Sequence, residues 1–309
     1  MTNLTLNIAG IKLHTKNKNI IEFMPDFKDF RIQSKGLEKN IWRIESSVLY
    51  KVDRAVKSDL RAVKNKIGSM QERFRSTDIK SSDWKEKEAN LARFQLENPS
   101  CLDRATFYFN DPVEINLRRR RIKRLYVEGN GSKRIKIIDS RFVTFAYSQI
   151  LASCGGMLLH CACVVRKGRA YLFFAKPGGG KSTVAKLSRK YTVLGDDIVA
   201  VRKNKNRFIA FSTPWRQSKL VKPHPKISAP VKAVFFLHKS KDIRLQPLAD
   251  HEALVRFLSR CIHFFLYTEI PLAKKIFFTA ADFFKNIPAY DMYFRKDKNF
   301  WPILDKVIK

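Results

Sequence analysis

With 309 residues, 45% of them hydrophobic and 24 of them Phe, the chain can bury one large or two modest cores, which excludes a disordered polypeptide. Its formal net charge of +33, from 61 Lys and Arg against 28 Asp and Glu, favours anionic partners such as nucleotide, acidic peptide, nucleic acid or an anionic membrane surface. No uncharged apolar run reaches the roughly 18 residues of a membrane-spanning helix, no basic-then-apolar leader opens the sequence, and the five cysteines are scattered, so a reduced, cytoplasmic protein is expected.

In chain order, residues 1–44 read as short strands and turns. Between 52 and 75 the character changes. Val56, Leu60, Val63, Ile67, Met70 and Phe74 recur at alternating spacings of four and three, a helical stripe of heptad type. Ser81-Ser82-Asp83 can cap a second helix running to about Glu97. The stripe fits simple packing better than an oligomer seam, although it leaves a homo-oligomer open. The pair is expected to be a helical insertion near 52–97 in a β-rich N-terminal region. Strand character returns over 105–139, interrupted by the densest basic run, Arg118-Arg119-Arg120-Arg121-Ile122-Lys123-Arg124. One reading is a solvated strand edge that discourages aggregation. Lys and Arg are spread over the whole chain and no recognition motif accompanies the run, so weak, non-specific nucleic-acid binding is the most expected of it.

Phe142–Ala152 reads as a helix. His160-Cys161-Ala162-Cys163-Val164-Val165 reads as a strand, Arg166–Arg169 as a tight turn, and Ala170–Phe174 as the returning strand. A turn centred between Lys167 and Gly168 pairs Val165 with Ala170. Carried on, that register sets His160 across from Ala175. The imidazole could then touch phosphate or an acceptor hydroxyl; a core histidine at a strand end is the plain alternative. Cys161 and Cys163 point to one face of that strand, and no second pair completes a zinc site.

The returning strand ends in Ala175-Lys176-Pro177-Gly178-Gly179-Gly180-Lys181-Ser182-Thr183, and Val184–Leu187 follows as a helix start. Strand, glycine loop and helix is the order a phosphate-binding loop requires. The three glycines let the backbone wrap closely and turn its N–H groups inward. Lys181 supplies a cation for the outer phosphates, and the hydroxyl of Ser182 or Thr183 can reach magnesium. The anion would sit at the start of the helix. Leu194-Gly195-Asp196-Asp197 then leads into apolar Ile198–Val201. Adjacent carboxylates repel each other and resist burial unless a cation holds them; the plain alternative is a turn with two solvated Asp residues. Asp196 lies 15 residues after Lys181, enough for one short helix and one strand. Asp250–Leu266 and Pro271–Lys285 read as Phe-rich helices and Phe300–Ile308 as a short closing helix.

The run Gly155-Gly156-Met157-Leu158-Leu159-His160, the hairpin, the loop 175–183 and Gly195-Asp196-Asp197 together resemble the HPr kinase/phosphorylase family. The likeness is closer to the HPr-kinase-like proteins found beside peptide-modification and export systems. Thr213-Pro214-Trp215, Leu245-Gln246-Pro247-Leu248 and Ile287-Pro288-Ala289-Tyr290 also look like family segments. The resemblance covers about residues 145–309. It implies a fold similar to the nucleotide domain of phosphoenolpyruvate carboxykinase, and a phosphoryl-transfer site made of His160, Lys181, Ser182, Asp196 and Asp197. Ala175 stands where the family has glycine. The signature segment and phosphorylase loop of true HPr kinases are absent, which removes support for a phosphocarrier substrate and for the reverse reaction.

The expected fold is α/β: a phosphate-loop kinase domain over 140–309 behind a smaller mixed α+β domain over 1–139. The expected function is ATP-dependent phosphorylation of a serine or threonine hydroxyl on a peptide or protein, which the basic surface would suit best if acidic. Its cofactors are ATP and Mg2+. Residues 175–183 would hold the phosphates, with Ser182 and one Asp on magnesium and the other Asp as general base. Which Asp does which is open, with Asp196 preferred as base and Asp197 as metal ligand. A kinase of a small hydroxylated metabolite, and a non-catalytic nucleotide-sensing or nucleic-acid-binding module, are the alternatives.

Overall fold

A computed structural model describes residues 4–15, 25–32, 41–51, 104–109, 111–116, 119–128, 140–216, 221–222, 224–260, 270–296 and 300–308. The helices expected at 52–75 and 81–97, the ends of the segments expected at 105–139 and 250–266, and Cys101, Arg118 and Cys261 lie outside the described residues. Among the described residues no helix is long and apolar enough to cross a membrane.

The N-terminal half forms a six-stranded sheet from β1 (Leu4–Ile8), β2 (Ile11–Thr15), β3 (Ile41–Lys51), β4 (Arg104–Phe109), β5 (Asp111–Asn116) and β6 (Arg121–Glu128). Their order is β1-β2-β3-β6-β5-β4. Ala9 and Gly10, both at positive φ, make the two-residue turn between β1 and β2, the turn type whose twist matches paired strands. The basic run is not at a sheet edge, which was one of the two readings open from the sequence. Arg119 and Arg120 form a turn and Arg121–Arg124 runs inside β6, which pairs with β3 on one side and β5 on the other. Continuous hydrogen bonding on both sides overrides the charge density that suggested an edge.

The second sheet has nine strands: β7 (Gly156–His160), β8 (Ala162–Arg166), β9 (Arg169–Phe174), β10 (Thr192–Gly195), β11 (Ile198–Asn204), β12 (Arg207–Phe211), β13 (Ser228–Lys239), β14 (Arg244–Leu248) and β15 (Ala289–Phe294). The helices are α1 (Ser140–Ser153), α2 (Lys181–Leu187), α3 (Asp250–Arg260), α4 (Ile270–Asn286) and α5 (Phe300–Val307). The fold is therefore mixed α/β with a curled sheet. Its hinge is the long strand β13. The first three residues of β13 pair with β12, and the remainder runs parallel to β9 and β15. The β8–β9 hairpin turns at Lys167 and Gly168, both left-handed, and pairs Val165 with Ala170 as the sequence predicts.

Three apolar clusters fill the layers. One joins β1, β2 and the 3-10 turn Pro25–Phe30 to α1 and to the α1-facing side of β7 and β11. Within it Tyr147 donates its hydroxyl to the Ile8 carbonyl at 3.1 Å, and Arg202 donates to the Ala9 carbonyl at 2.6 Å. Trp215 packs between Phe27 and Tyr147, and next to it Arg216 grips the Asp26 carboxylate with two nitrogens. The second cluster lies between the sheet and α3 and α4, where Phe257 meets Phe174, Phe283 and Phe284. The third lies under α2 and α5, with Trp301 and Phe300 against Phe173.

Candidate functional site

The glycine loop grows out of β9. Phe174 is buried, Lys176, Pro177 and Gly178 are exposed, and Lys181 opens α2 and is 6% exposed. The Lys181 ammonium donates to the Ala175 carbonyl at 2.9 Å, so the cation reaches back from the start of α2 to the first residue of the loop. Within that span the Gly179 N–H donates to the Lys176 carbonyl at 2.9 Å. Two glycines are fixed by close approach. A Cβ on Gly179 would stand 2.7 Å from the Ala175 Cβ, and one on Gly180 would stand 2.4 Å from Cζ of Phe294. Gly180 also has φ +109, which side chains rarely adopt. Ala175 has no left-handed backbone, so alanine fits where the resemblance expects glycine. Phe294 ends β15 and supports the loop from beneath. The sequence carries no local signal for that contact, because it joins residues more than a hundred positions apart.

The Asp pair forms the two-residue connection between β10 and β11. Asp196 is fully buried, whereas the Asp197 side chain is 28% exposed. Two buried hydroxyls bracket the pair. Ser212 donates to the Leu194 carbonyl at 2.7 Å and Thr213 to the Ile198 carbonyl at 2.5 Å. The His224 N–H in turn donates to Ser212 at 3.0 Å. These links tie the segment after β12 to the strand ends that present the carboxylates. Ser212 was missed from sequence; its neighbour Thr213 was picked out only as part of a segment.

His160 reaches the Asp pair by a route the sequence did not predict. The expected strand 160–165 breaks at Cys161. His160 ends β7 and pairs with Ile198 of β11, not with Ala175, while β8 starts afresh at Ala162 between β9 and β10. Extending the hairpin register failed because the chain turns a corner at Cys161 to pass from one half of the curled sheet to the other. The corner brings His160 Nε2 to 2.9 Å from Asp197 Oδ1, with the imidazole side chain 36% exposed.

Pairing registers place all three pieces on one edge of the sheet. Ala162, the first residue of β8, is level with Phe173 near the end of β9, and Cys163 is level with Gly195 at the end of β10. The loop at Ala175, the carboxylates at 196–197 and His160 therefore leave the sheet on the same side, at the carboxyl ends of β9 and β10. Ligands in open α/β sheets bind at such ends. Cys161 and Cys163 are both buried in the α3–α4 cluster, and burial pushes the Cys163 thiol far up from its ordinary range, so that pair is packing. Among the described residues no group of three or more His, Cys, Asp or Glu is placed to hold a metal ion.

Among solved structures the chain is similar to the Hpr(Ser) kinase/phosphatase from Coxiella burnetii, at 12% identity, over 49% of this chain and 87% of that one, with a TM-score of 0.27. A likeness that slight fixes neither fold nor activity. No curated protein matches the chain. The family described as SynChlorMet cassette protein ScmC matches residues 128–309, a stretch holding the glycine loop, His160 and the Asp pair. That stretch is more than half of the sequence, and the chain is a member of the SynChlorMet cassette protein ScmC family.

Proposed function

We propose that this protein is an ATP-dependent kinase that phosphorylates a serine or threonine hydroxyl on a peptide or protein acceptor, with residues 140–309 as the catalytic domain and 1–139 as a smaller domain against it. The observation that carries the reading is the convergence of the glycine loop, the Asp pair and His160 on one sheet edge. The loop fits a phosphate chain: two of its glycines leave room that a Cβ would fill, and its buried lysine sits at the helix start. ATP, when bound, would supply the γ-phosphoryl group and leave as ADP, with magnesium to offset the phosphate charge. Lys181 and the loop amides of 175–183 hold the outer phosphates. Ser182 and an Asp carboxylate would hold the ion.

Burial favours the opposite of the preferred sequence assignment of the two carboxylates. A general base must reach the proton it takes. Asp197 is accessible and hydrogen-bonded to His160, whereas Asp196 is out of solvent. Asp197 would therefore take the acceptor hydroxyl proton, oriented by His160, which leaves Asp196 with Ser182 as the residues that would hold the ion. The test is incubation with isotope-labelled ATP and a set of Ser/Thr peptides, read by mass spectrometry. Labelled phosphate on a hydroxyl is expected from the wild type. Asp197→Asn should bind ATP and transfer nothing. Undiminished transfer by Asp197→Asn would remove the assigned base, and no transfer to any acceptor would remove the kinase reading.

A further inference from the structure

At the opposite edge of the same strands lies a second concave site. β7 and β11 pair Ile198 with His160 at one end and Arg202 with Gly156 at the other. Beyond the Gly156 end, a cavity of about 770 Å³ is lined by Cys154, Lys203, Lys205, Lys274, Lys275 and Phe278, with Asp282 its one acidic residue. Lys203 is held by Asp282 at 2.5 Å, and Lys275 donates to the Ser153 carbonyl, a bond that leaves its charge uncompensated. Lys205 and Lys274 stand in no ion pair found among the described residues. Among the described residues, three positive charges therefore face one concavity whose single carboxylate, Asp282, is taken by Lys203. Beside them Phe278 is 68% exposed and Phe277 42% exposed, in edge contact with each other. Large apolar rings left in water beside uncompensated cations mark a surface that something covers.

We infer that this cavity docks an acidic segment bearing an apolar or aromatic side chain, with its carboxylates on Lys205, Lys274 and Lys275 and its apolar group against Phe278. The small extent of the site favours a short peptide among anionic partners. A concavity of about 770 Å³ holds a short segment, whereas a bilayer or a nucleic-acid strand engages charge spread along a longer surface. A local cluster of lysines beside one exposed ring matches the charge and the apolar group that one short acidic peptide carries. The kinase reading enters only in making that segment part of the acceptor. Gly156 and His160 are four strand residues apart, about 13 Å at the rise of a β-strand. Carboxylates docked here would then lie at least about four extended residues from the hydroxyl at Asp197. A remote dock of this kind raises acceptor affinity without touching the chemistry.

The test uses the full chain and a fluorescent peptide of Asp and Glu residues with one Phe, against a control with the acids replaced by Ala. Anisotropy should show binding of the acidic peptide that weakens with salt, and none of the control. Lys205→Glu with Lys274→Glu should lower that affinity by about tenfold or more, and Phe278→Ser severalfold, with thermal unfolding unchanged. Lys181→Ala should leave it intact, so failure of the nucleotide loop and failure of this site read out separately. If transfer occurs, the double lysine variant should raise KM for an acidic acceptor and spare kcat. Equal binding by wild type and double variant overturns the inference. So does a single-stranded oligonucleotide or an anionic phosphatidylserine vesicle that binds here more tightly than the peptide and displaces it.

Discussion

Replacing Gly180 with Ala tests how the loop is held. The backbone there has φ +109, and a Cβ would meet Cζ of Phe294 at 2.4 Å. Left-handed backbone costs a non-glycine residue about 1–2 kcal/mol. Forcing atoms into a packed contact costs about 1–3 kcal/mol. Stiffening the unfolded chain returns about 0.4–1 kcal/mol. The net expectation is a loss of roughly 1–5 kcal/mol in denaturant unfolding, with nucleotide affinity falling as well. Because Phe294 is 3% exposed and its ring is the obstacle, the two positions must couple. Phe294→Leu withdraws the ring edge. The double variant Gly180→Ala with Phe294→Leu should be less destabilised than the two single losses added, by about 1 kcal/mol or more. The φ strain should persist in it. Additivity within about 0.5 kcal/mol would refute the contact as the reason for glycine at this position.

Other expectations follow from single contacts. Asp291 is 6% exposed and accepts from Arg256 at 2.7 and 2.9 Å and from His238 at 2.6 Å. Arg256→Ala should therefore cost about 1–3 kcal/mol in denaturant unfolding, discounted from a fully buried pair because Arg256 is partly exposed and His238 stays; a smaller loss would show that the pair does not tie α3 to β15. The hydrogen bond from Arg166 holds the Asp305 carboxyl below its ordinary value of 3.8. A depressed carboxyl stabilises the fold above its unfolded pKa and loses that effect as pH falls through the folded value. The stability gap between wild type and Asp305→Asn should thus be constant above about pH 5 and close below 3.8 in acid titration. Cys154 is exposed while Cys161 and Cys163 are buried. A thiol reagent followed by peptide mapping should label Cys154 on the native protein and spare the other two.

Much of the reading of residues 140–309 was local and so was legible. The glycine loop, the Lys167-Gly168 turn, the start of the helix at 250 and the helix at 271 are each specified by neighbours within a few residues, and each stands where the pattern predicts. What escaped was non-local. The corner at Cys161 depends on which strands β7 and β8 find, and nothing in the run 160–165 announces it. Phe294 under Gly180 and Ser212 behind Leu194 are contacts across the curled sheet. Arg121–Arg124 left an edge open because charge density suggests solvent, while the strands that pair on both sides of it are distant in sequence. The split between the two Asp residues depends on burial, which adjacent identical residues cannot encode in sequence alone.

The central claim is that residues 175–183 hold the phosphates of ATP through Lys181. Calorimetric titration of Mg-ATP into wild type and Lys181→Ala tests it most directly, with far-UV and near-UV dichroism to verify the fold. Losing a charge-assisted hydrogen bond should weaken binding by about 1.5–3 kcal/mol, roughly a ten- to 150-fold rise in Kd. The same Kd in both proteins, with the fold intact, would contradict the account.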